Sequence, residues 1–313
     1  MFAIGFGIIY FILLFIGTSF YFIIVFAVLF FLIQWYISPK IIKMISHLEY
    51  IKTNEYPELH EIVNRLTTLA HVNSPKIAIA PSKEPNAFVF GRSKKNSTLV
   101  IHKGLLEILN TEELESVIGH ELGHLKHNDM LIITFISFIP MLAYLIAETL
   151  FFSTIFGGVG NNRRNFDYFI IFGIGAFIVY LVSQLLLLSL SRTRESYADE
   201  FSAKTTKNPS ALASSLFKIS YNNNKNNNNK NKKEMNLQFF YIIDLFSIKK
   251  DLKEIKTHYK EIEEMIPNID LNCLIDDASK QKKTFWGILN SLYSTHPKTY
   301  KRILDLAKIK KTL

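Results

Sequence analysis

Residues 120–129 read HELGHLKHND, and soon after them the chain enters an apolar run long enough to cross a lipid bilayer. On a helix, the pattern H-E-x-x-H places His120 and His124 one turn apart on one face. Both imidazoles then reach a single ion at zinc–nitrogen distances of ~2.0–2.1 Å. Glu121 falls at the flank of that ion, where a general base stands. Asn110 followed by Glu113 matches a capping box, so the helix is expected to begin near Thr111.

Two ligands do not make a site. The long metzincin spacing needs a histidine six residues after His124, and that position is Met130. His127 lies on nearly the same helix face as His124, but three ligands on one straight helix do not easily surround an ion tetrahedrally. His127 therefore reads as a surface or supporting residue, and Asp129 as a structural acid.

The rest of the chain explains where a third ligand comes from. The protein has 313 residues, 49% of them hydrophobic and 13% aromatic, and a single cysteine, Cys273. One cysteine excludes a disulfide framework and a Cys-rich zinc module. Residues 1–37 carry no charged side chain; their apolar run is too long for a signal peptide, and no small-residue cleavage site follows it. As one helix this stretch would span about 54 Å against a hydrocarbon core of ~30 Å, and Gly17-Thr18-Ser19 interrupts it midway. Residues 1–38 are thus expected to form a transmembrane hairpin, leaving the bilayer at Pro39-Lys40. Residues 130–158 and 166–191 form a second apolar pair, with NNRRN (161–165) as its turn and Pro140 as a kink.

A hairpin returns the chain to the side it left. The first polar residues after it, SRTRESYADEFSA (191–203), therefore come back to His120 and His124. Glu195 and Asp199 stand one helical turn apart there. One carboxylate can ligate zinc while the other holds the far nitrogen of a zinc histidine. Residues 39–129 and 192–313 are then two parts of one aqueous domain. Three short strands are expected at 76–81, 86–91 and 97–102. The Asn/Lys tract at 221–234 is expected to be a disordered loop.

The net charge is +9, and its excess lies in residues 191–313, with 23 Lys/Arg against 14 Asp/Glu. No nucleic-acid motif accompanies it, so a membrane reading is preferred to nucleic-acid binding. Of the 36 Lys/Arg, 34 fall outside the 130–190 hairpin, which places the aqueous domain in the cytoplasm; Arg163 and Arg164 pull the other way.

HELGHLKHND together with SRTRESYAD resembles the integral-membrane zinc metalloproteases of the M48 peptidase family, closer to its HtpX branch than to its CAAX prenyl endopeptidase branch. The resemblance extends to PNAFVFG (85–91), GLLEILNTEELESVIGHELGH (104–124) and STHPKTYKRI (294–303), and covers about residues 40–313. It implies a mainly α, integral membrane fold with about four transmembrane helices and a zincin-like (gluzincin) catalytic domain with a small β-sheet. It implies one zinc ion per chain on His120, His124 and Glu195, Glu121 as catalytic base, and Asp199 behind a zinc histidine. His296 and Arg302 match positions beside the scissile carbonyl. Asn86, Ala87 and Phe88 resemble the edge strand that holds substrate backbone.

The function so implied is hydrolysis of peptide bonds in misfolded or damaged membrane proteins, within a multi-pass cell-membrane protein. Three other readings compete. A CAAX prenyl protease has no supporting feature of its own, and an inactive zinc-binding scaffold is at odds with an intact Glu121. A transporter would need more of an ion path than Thr134, Ser137, Glu148 and Gln184 provide.

Overall fold

The structure, a computed structural model, describes residues 20–155, 163–227, 263 and 299–313. The chain divides into two compact units: Met1–Ile42 with Leu131–Leu187, and Lys43–Met130 with Leu188–Leu313. The described helices and strands run α1 (Phe20–Ile45), β1 (Glu49–Tyr50), α2 (Pro57–Ala70), β2 (Lys76–Ala80), β3 (Ala87–Ser93), β4 (Asn96–His102), α3 (Lys103–Ile108) and α4 (Thr111–Lys126). They continue with α5 (Asp129–Ile136), α6 (Phe138–Ile155), α7 (Arg163–Thr206), α8 (Pro209–Asn227) and α9 (Thr299–Lys310).

Three helices among the described residues are long and apolar enough to cross a membrane, Ile24–Ile45, Asp129–Phe152 and Tyr168–Thr206, and the first unit holds the larger part of the first two and the N-terminal half of the third. Four spans were expected from the sequence; residues 1–19, where the first of them was expected, lie outside the described residues. Helix α1 does not stop at Pro39 but runs on to Ile45. Pro140 acts as expected. It offers no N–H to the carbonyl of Ile136, and the helix breaks at Ser137 between α5 and α6. Phe31 packs its ring on Phe135 and Phe138, and Ala27 and Leu145 are buried together. Phe22, Leu29, Ile171, Phe172 and Leu186 are exposed, a surface suited to hydrocarbon rather than water.

The second unit holds a four-stranded mixed sheet in the order β1-β2-β4-β3. β2 runs parallel to β4, and the other pairs are antiparallel. β2, β3 and β4 occupy the three segments expected, the two-residue β1 was not expected, and β3 is left at an edge. Helix α4 starts at Thr111 with both capping-box bonds made: Glu113 N–H donates to Asn110 Oδ1 at 2.9 Å, and Asn110 N–H donates to Glu113 Oε2 at 3.0 Å. Ile118, Leu122 and Leu125 of α4 are fully buried in the unit's core, each stabilising it by roughly 2–3 kcal/mol.

Glu113 does more than cap. Ser214 Oγ donates to its Oε1 at 2.6 Å and Lys218 Nζ to its Oε2 at 2.7 Å, which ties α4 to α8. Burial acts to raise the Glu113 carboxyl's pKa, but the bonds from Lys218, Ser214 and Asn110 outweigh it and hold the pKa below the usual range. A carboxyl depressed by folding contributes stability that is present above the unfolded value of about 4.3 and is lost as pH falls through the folded value. Glu113→Gln is therefore expected to lower the melting temperature at pH 7, with the loss shrinking as pH falls below the unfolded value of about 4.3. An equal loss at pH 7 and below that value would show that the bonds act without charge.

Two boundaries differ from expectation. Helix α8 continues to Asn227, so the first seven residues of the 221–234 tract are helical rather than looped. Propagating a helix from a packed start costs far less than nucleating one, and this offsets the poor propensity of asparagine. Residues 228–234 lie outside the described residues. Helix α7 begins at Arg163, inside the NNRRN assigned to a turn, and runs unbroken to Thr206 through the change of hydropathy at 191.

Candidate metal centre

The site is assembled from helices α4, α7 and α9. Helices α4 and α7 approach closely because glycine and small residues face each other. A Cβ on Gly123 would stand 3.0 Å from the Ala198 Cα, and one on Gly119 3.0 Å from Ser202 Oγ. Ser202 Oγ donates to the Ser116 carbonyl at 2.6 Å, fixing the register of the two helices. That register sets Glu195 and Asp199 opposite His120 and His124, the juxtaposition expected from the return of the hairpin.

Donor atoms of three residues converge. His120 Nε2 and His124 Nε2 lie 3.1 Å apart, with the rings edge-to-face. Glu195 Oε2 is 3.5 Å from His120 Nε2, and Glu195 Oε1 is 3.4 Å from His124 Nε2. Ligands on a tetrahedral zinc at ~2.0–2.1 Å stand about 3.3 Å from one another. The separations lie near that length, with each Glu195 oxygen closest to a different histidine, and two imidazole nitrogens with a carboxylate are a donor set that zinc accepts. His120, Glu121 and Glu195 are all buried.

The far nitrogens are held as well. His120 Nδ1 is 2.9 Å from Asp199 Oδ1, and His124 Nδ1 is 2.7 Å from Asp129 Oδ2. Arg302 donates to both Asp199 oxygens, at 2.6 and 2.8 Å, and its Nη1 is 3.3 Å from Glu195 Oε2. Arg194 donates to Asp129 Oδ1 and to the His127 carbonyl. Burial acts to lower the pKa of both histidines, yet the carboxylates beside them outweigh it: both are raised, His124 well above its usual value. Burial also acts to raise Asp199, but Arg302 and His120 outweigh it and hold it low.

Glu121 is buried beside the histidines, and the backbone N–H of Val89 donates to its Oε2 at 3.2 Å. Burial raises its pKa above the usual range, against the pull of His120 and His124. A carboxylate shifted toward neutrality is a stronger base and a usable acid at physiological pH.

The bond from Val89 reveals the direction of β3. Val89 N–H points away from β4, while the Asn86 carbonyl accepts from His102 N–H on the β4 side. Main-chain groups alternate along an antiparallel strand, so Ala87 and Val89 face the free edge, whereas Asn86 and Phe88 face β4. Of the expected substrate-binding residues, Ala87 alone presents its backbone at the edge, and Val89 joins it.

Arg302 lies inside the cluster, its Nη2 3.4 and 3.5 Å from the two His120 ring nitrogens. It is only 3% exposed, with its guanidinium on Asp199 and Glu195. A buried cation requires carboxylate partners, and here they are the two acids behind and among the ligand donors. His296 lies outside the described residues. His127 packs its ring near Tyr197 and Phe201, and its Nδ1 has no hydrogen-bond partner among the described residues. The contacts of Asp129 and Arg194 were not anticipated. The available signal was an acid five residues after His124 and an arginine just before Glu195.

An H-E-x-x-H helix with a returning glutamate, in a multi-pass membrane protein, defines a membrane-bound metalloprotease. The chain belongs to peptidase family M48, whose family model matches residues 53–310. It is 38% identical over 221 residues to a protease HtpX homolog of Methanothermobacter thermautotrophicus, covering 68% of this chain and 81% of that protein. It is 31% identical over 286 residues to a protease HtpX homolog of Aeropyrum pernix, covering 89% and 82%. Its fold is similar to the crystal structure of S. mikatae Ste24p, with a TM-score of 0.52 at 18% identity, over 97% of this chain and 63% of that one.

Proposed function

We propose that this protease is a zinc-dependent endopeptidase that cleaves misfolded or damaged membrane proteins, with its catalytic unit on the cytoplasmic side of the cell membrane. The observation that supports the zinc assignment is the convergence of His120, His124 and Glu195, whose donor atoms stand 3.1–3.5 Å from one another across the residues. Zinc held there supplies Lewis acidity and makes a water acidic enough to lose a proton near neutral pH.

The remaining work belongs to the chain. Glu121 takes the proton of the attacking water and passes it to the leaving amine. Asp199 holds His120 by its Nδ1, and Arg302 holds Asp199. A substrate segment adds to the edge of β3, bonding the main chain of Ala87 and the carbonyl of Val89, whose N–H already serves Glu121, with Asn86 and Phe88 forming the strand's inner side. Recognition through the backbone makes little demand on sequence, which suits unfolded polypeptides as substrates. His296 completes the proposed machinery as the donor to the developing oxyanion.

Metal analysis of the purified chain tests the reading. About one zinc per chain is expected, with casein cleavage lost on chelation and restored by zinc. A metal-free protein that still cleaves casein would exclude the reading. Orientation is checked by labelling single cysteines at positions 83 and 162 in intact cells, with only the second expected to react from outside. A prenylated peptide cleaved in preference to casein would transfer the assignment to a CAAX-type specificity.

A further inference from the structure

The two histidines of the metal centre are supported in parallel ways, but only one of the supports was expected. His120 rests on Asp199 and Arg302. His124 rests on Asp129, the first residue of α5, and on Arg194, one residue before Glu195. Asp129 is 6% exposed, and its two oxygens are divided: Oδ2 meets His124 Nδ1 at 2.7 Å, and Oδ1 accepts from Arg194 Nε at 2.6 Å. The same guanidinium donates from Nη2 to the His127 carbonyl at 2.7 Å, at the C-cap of α4. One side chain of α7 therefore grips both the end of the ligand helix and the acid behind its second histidine.

We propose that Asp129 and Arg194 form a tautomer clamp on His124: the carboxylate accepts the Nδ1 proton, the guanidinium fixes the carboxylate, and Nε2 is left as a bare lone pair facing Glu195 and His120. The clamp rests on the zinc reading above and deepens it. An imidazole ligates through an unprotonated nitrogen, and which nitrogen that is follows from the bond the other one makes. Because Arg194 adjoins Glu195 on α7, the clamp also fixes the helix that brings the third donor.

The chemistry separates this role from simple packing. In Asp129→Asn the side-chain oxygen stays with Arg194, whose N–H groups only donate. The amide NH2 must then face His124 Nδ1, and it too only donates. Nδ1 becomes the acceptor and the ring proton moves to Nε2, the atom required for the ion. Asp129→Ala removes the bond but leaves both tautomers open. A clamp therefore predicts that asparagine harms zinc binding at least as much as alanine, although asparagine better preserves shape and packing. A purely structural acid predicts the opposite order.

The test is zinc competition against a chromogenic chelator on the full chain in detergent, with thermal melting in excess EDTA as the measure of packing. Asp129→Asn is expected to weaken zinc binding ~10–100-fold, at least as much as Asp129→Ala, while melting no lower than it. Zinc affinity for Asp129→Asn within about twofold of wild type, or affinities that follow the melting temperatures, would overturn the clamp. Arg194→Lys serves if the Asp129 variants do not fold: a point ammonium cannot span Asp129 and the His127 carbonyl, so zinc binding is expected to weaken several-fold, and unchanged affinity would overturn the clamp. A wild-type chain that holds no zinc would instead overturn the zinc reading itself.

Discussion

Replacing Glu121 by glutamine is expected to leave zinc bound and to lower peptide-bond cleavage by about a thousandfold or more, within the range assigned to a positioned base. The geometry makes this separation of effects specific. Glu121 is not one of the three converging donors, so its loss does not open the tetrahedron. Its Oε2 accepts from Val89 N–H, and a glutamine oxygen accepts the same bond, so the edge strand stays in place. What disappears is an ionised carboxylate able to take a proton. Zinc content and casein cleavage measured on the same preparation check the result. Zinc lost together with activity would assign Glu121 to the ligands instead.

Glu195→Ala is expected to remove both zinc and activity. It withdraws one of three protein donors, and with it about 3 kcal/mol or more of the ~10–16 kcal/mol typical of a structural zinc site, at least about a hundredfold in affinity. It also leaves Arg302 facing the site with one carboxylate fewer. The contrast is His127→Ala, expected to keep most of both properties, since its ring lies near Tyr197 and Phe201 and its Nδ1 meets no donor or acceptor among the described residues. Metal analysis of the two variants beside wild type decides between a returning glutamate and an all-histidine site.

The clustering of His120, His124 and Glu195 was legible because it follows from local spacing plus one topological rule. His120, Glu121 and His124 share a helix whose cap is written in Asn110 and Glu113. Glu195 follows because a hairpin must bring the chain back. The burial of Arg302 was not legible. An arginine in a lysine-rich tail reads as a surface charge, and its partner Asp199 lies 103 positions away. Asp129 was hidden for a different reason. An acid at the start of an apolar helix is adequately explained as a first-turn residue favoured by the helix dipole, so nothing in the sequence called for a second role. The limits of α7 were missed because hydropathy changes at residue 191 while the backbone does not: a helix continues wherever its hydrogen bonds do, whatever solvent its side chains meet.

The charges around the two histidines also bear on the valence of the ion proposed for this centre. Glu121, Asp129, Glu195 and Asp199 place four carboxylates in and around the centre, against two guanidinium groups, Arg194 and Arg302. When all are ionised, the surplus is two negative charges in a buried space. A divalent cation with neutral imidazoles neutralises it; a monovalent ion leaves it short and a trivalent ion overshoots. Protons on His120 and His124 do the same, which is the direction in which both groups are shifted. At the proposed zinc centre, metal uptake is therefore expected to exchange protons for one doubly charged ion, with affinity climbing with pH as the histidines give up their protons.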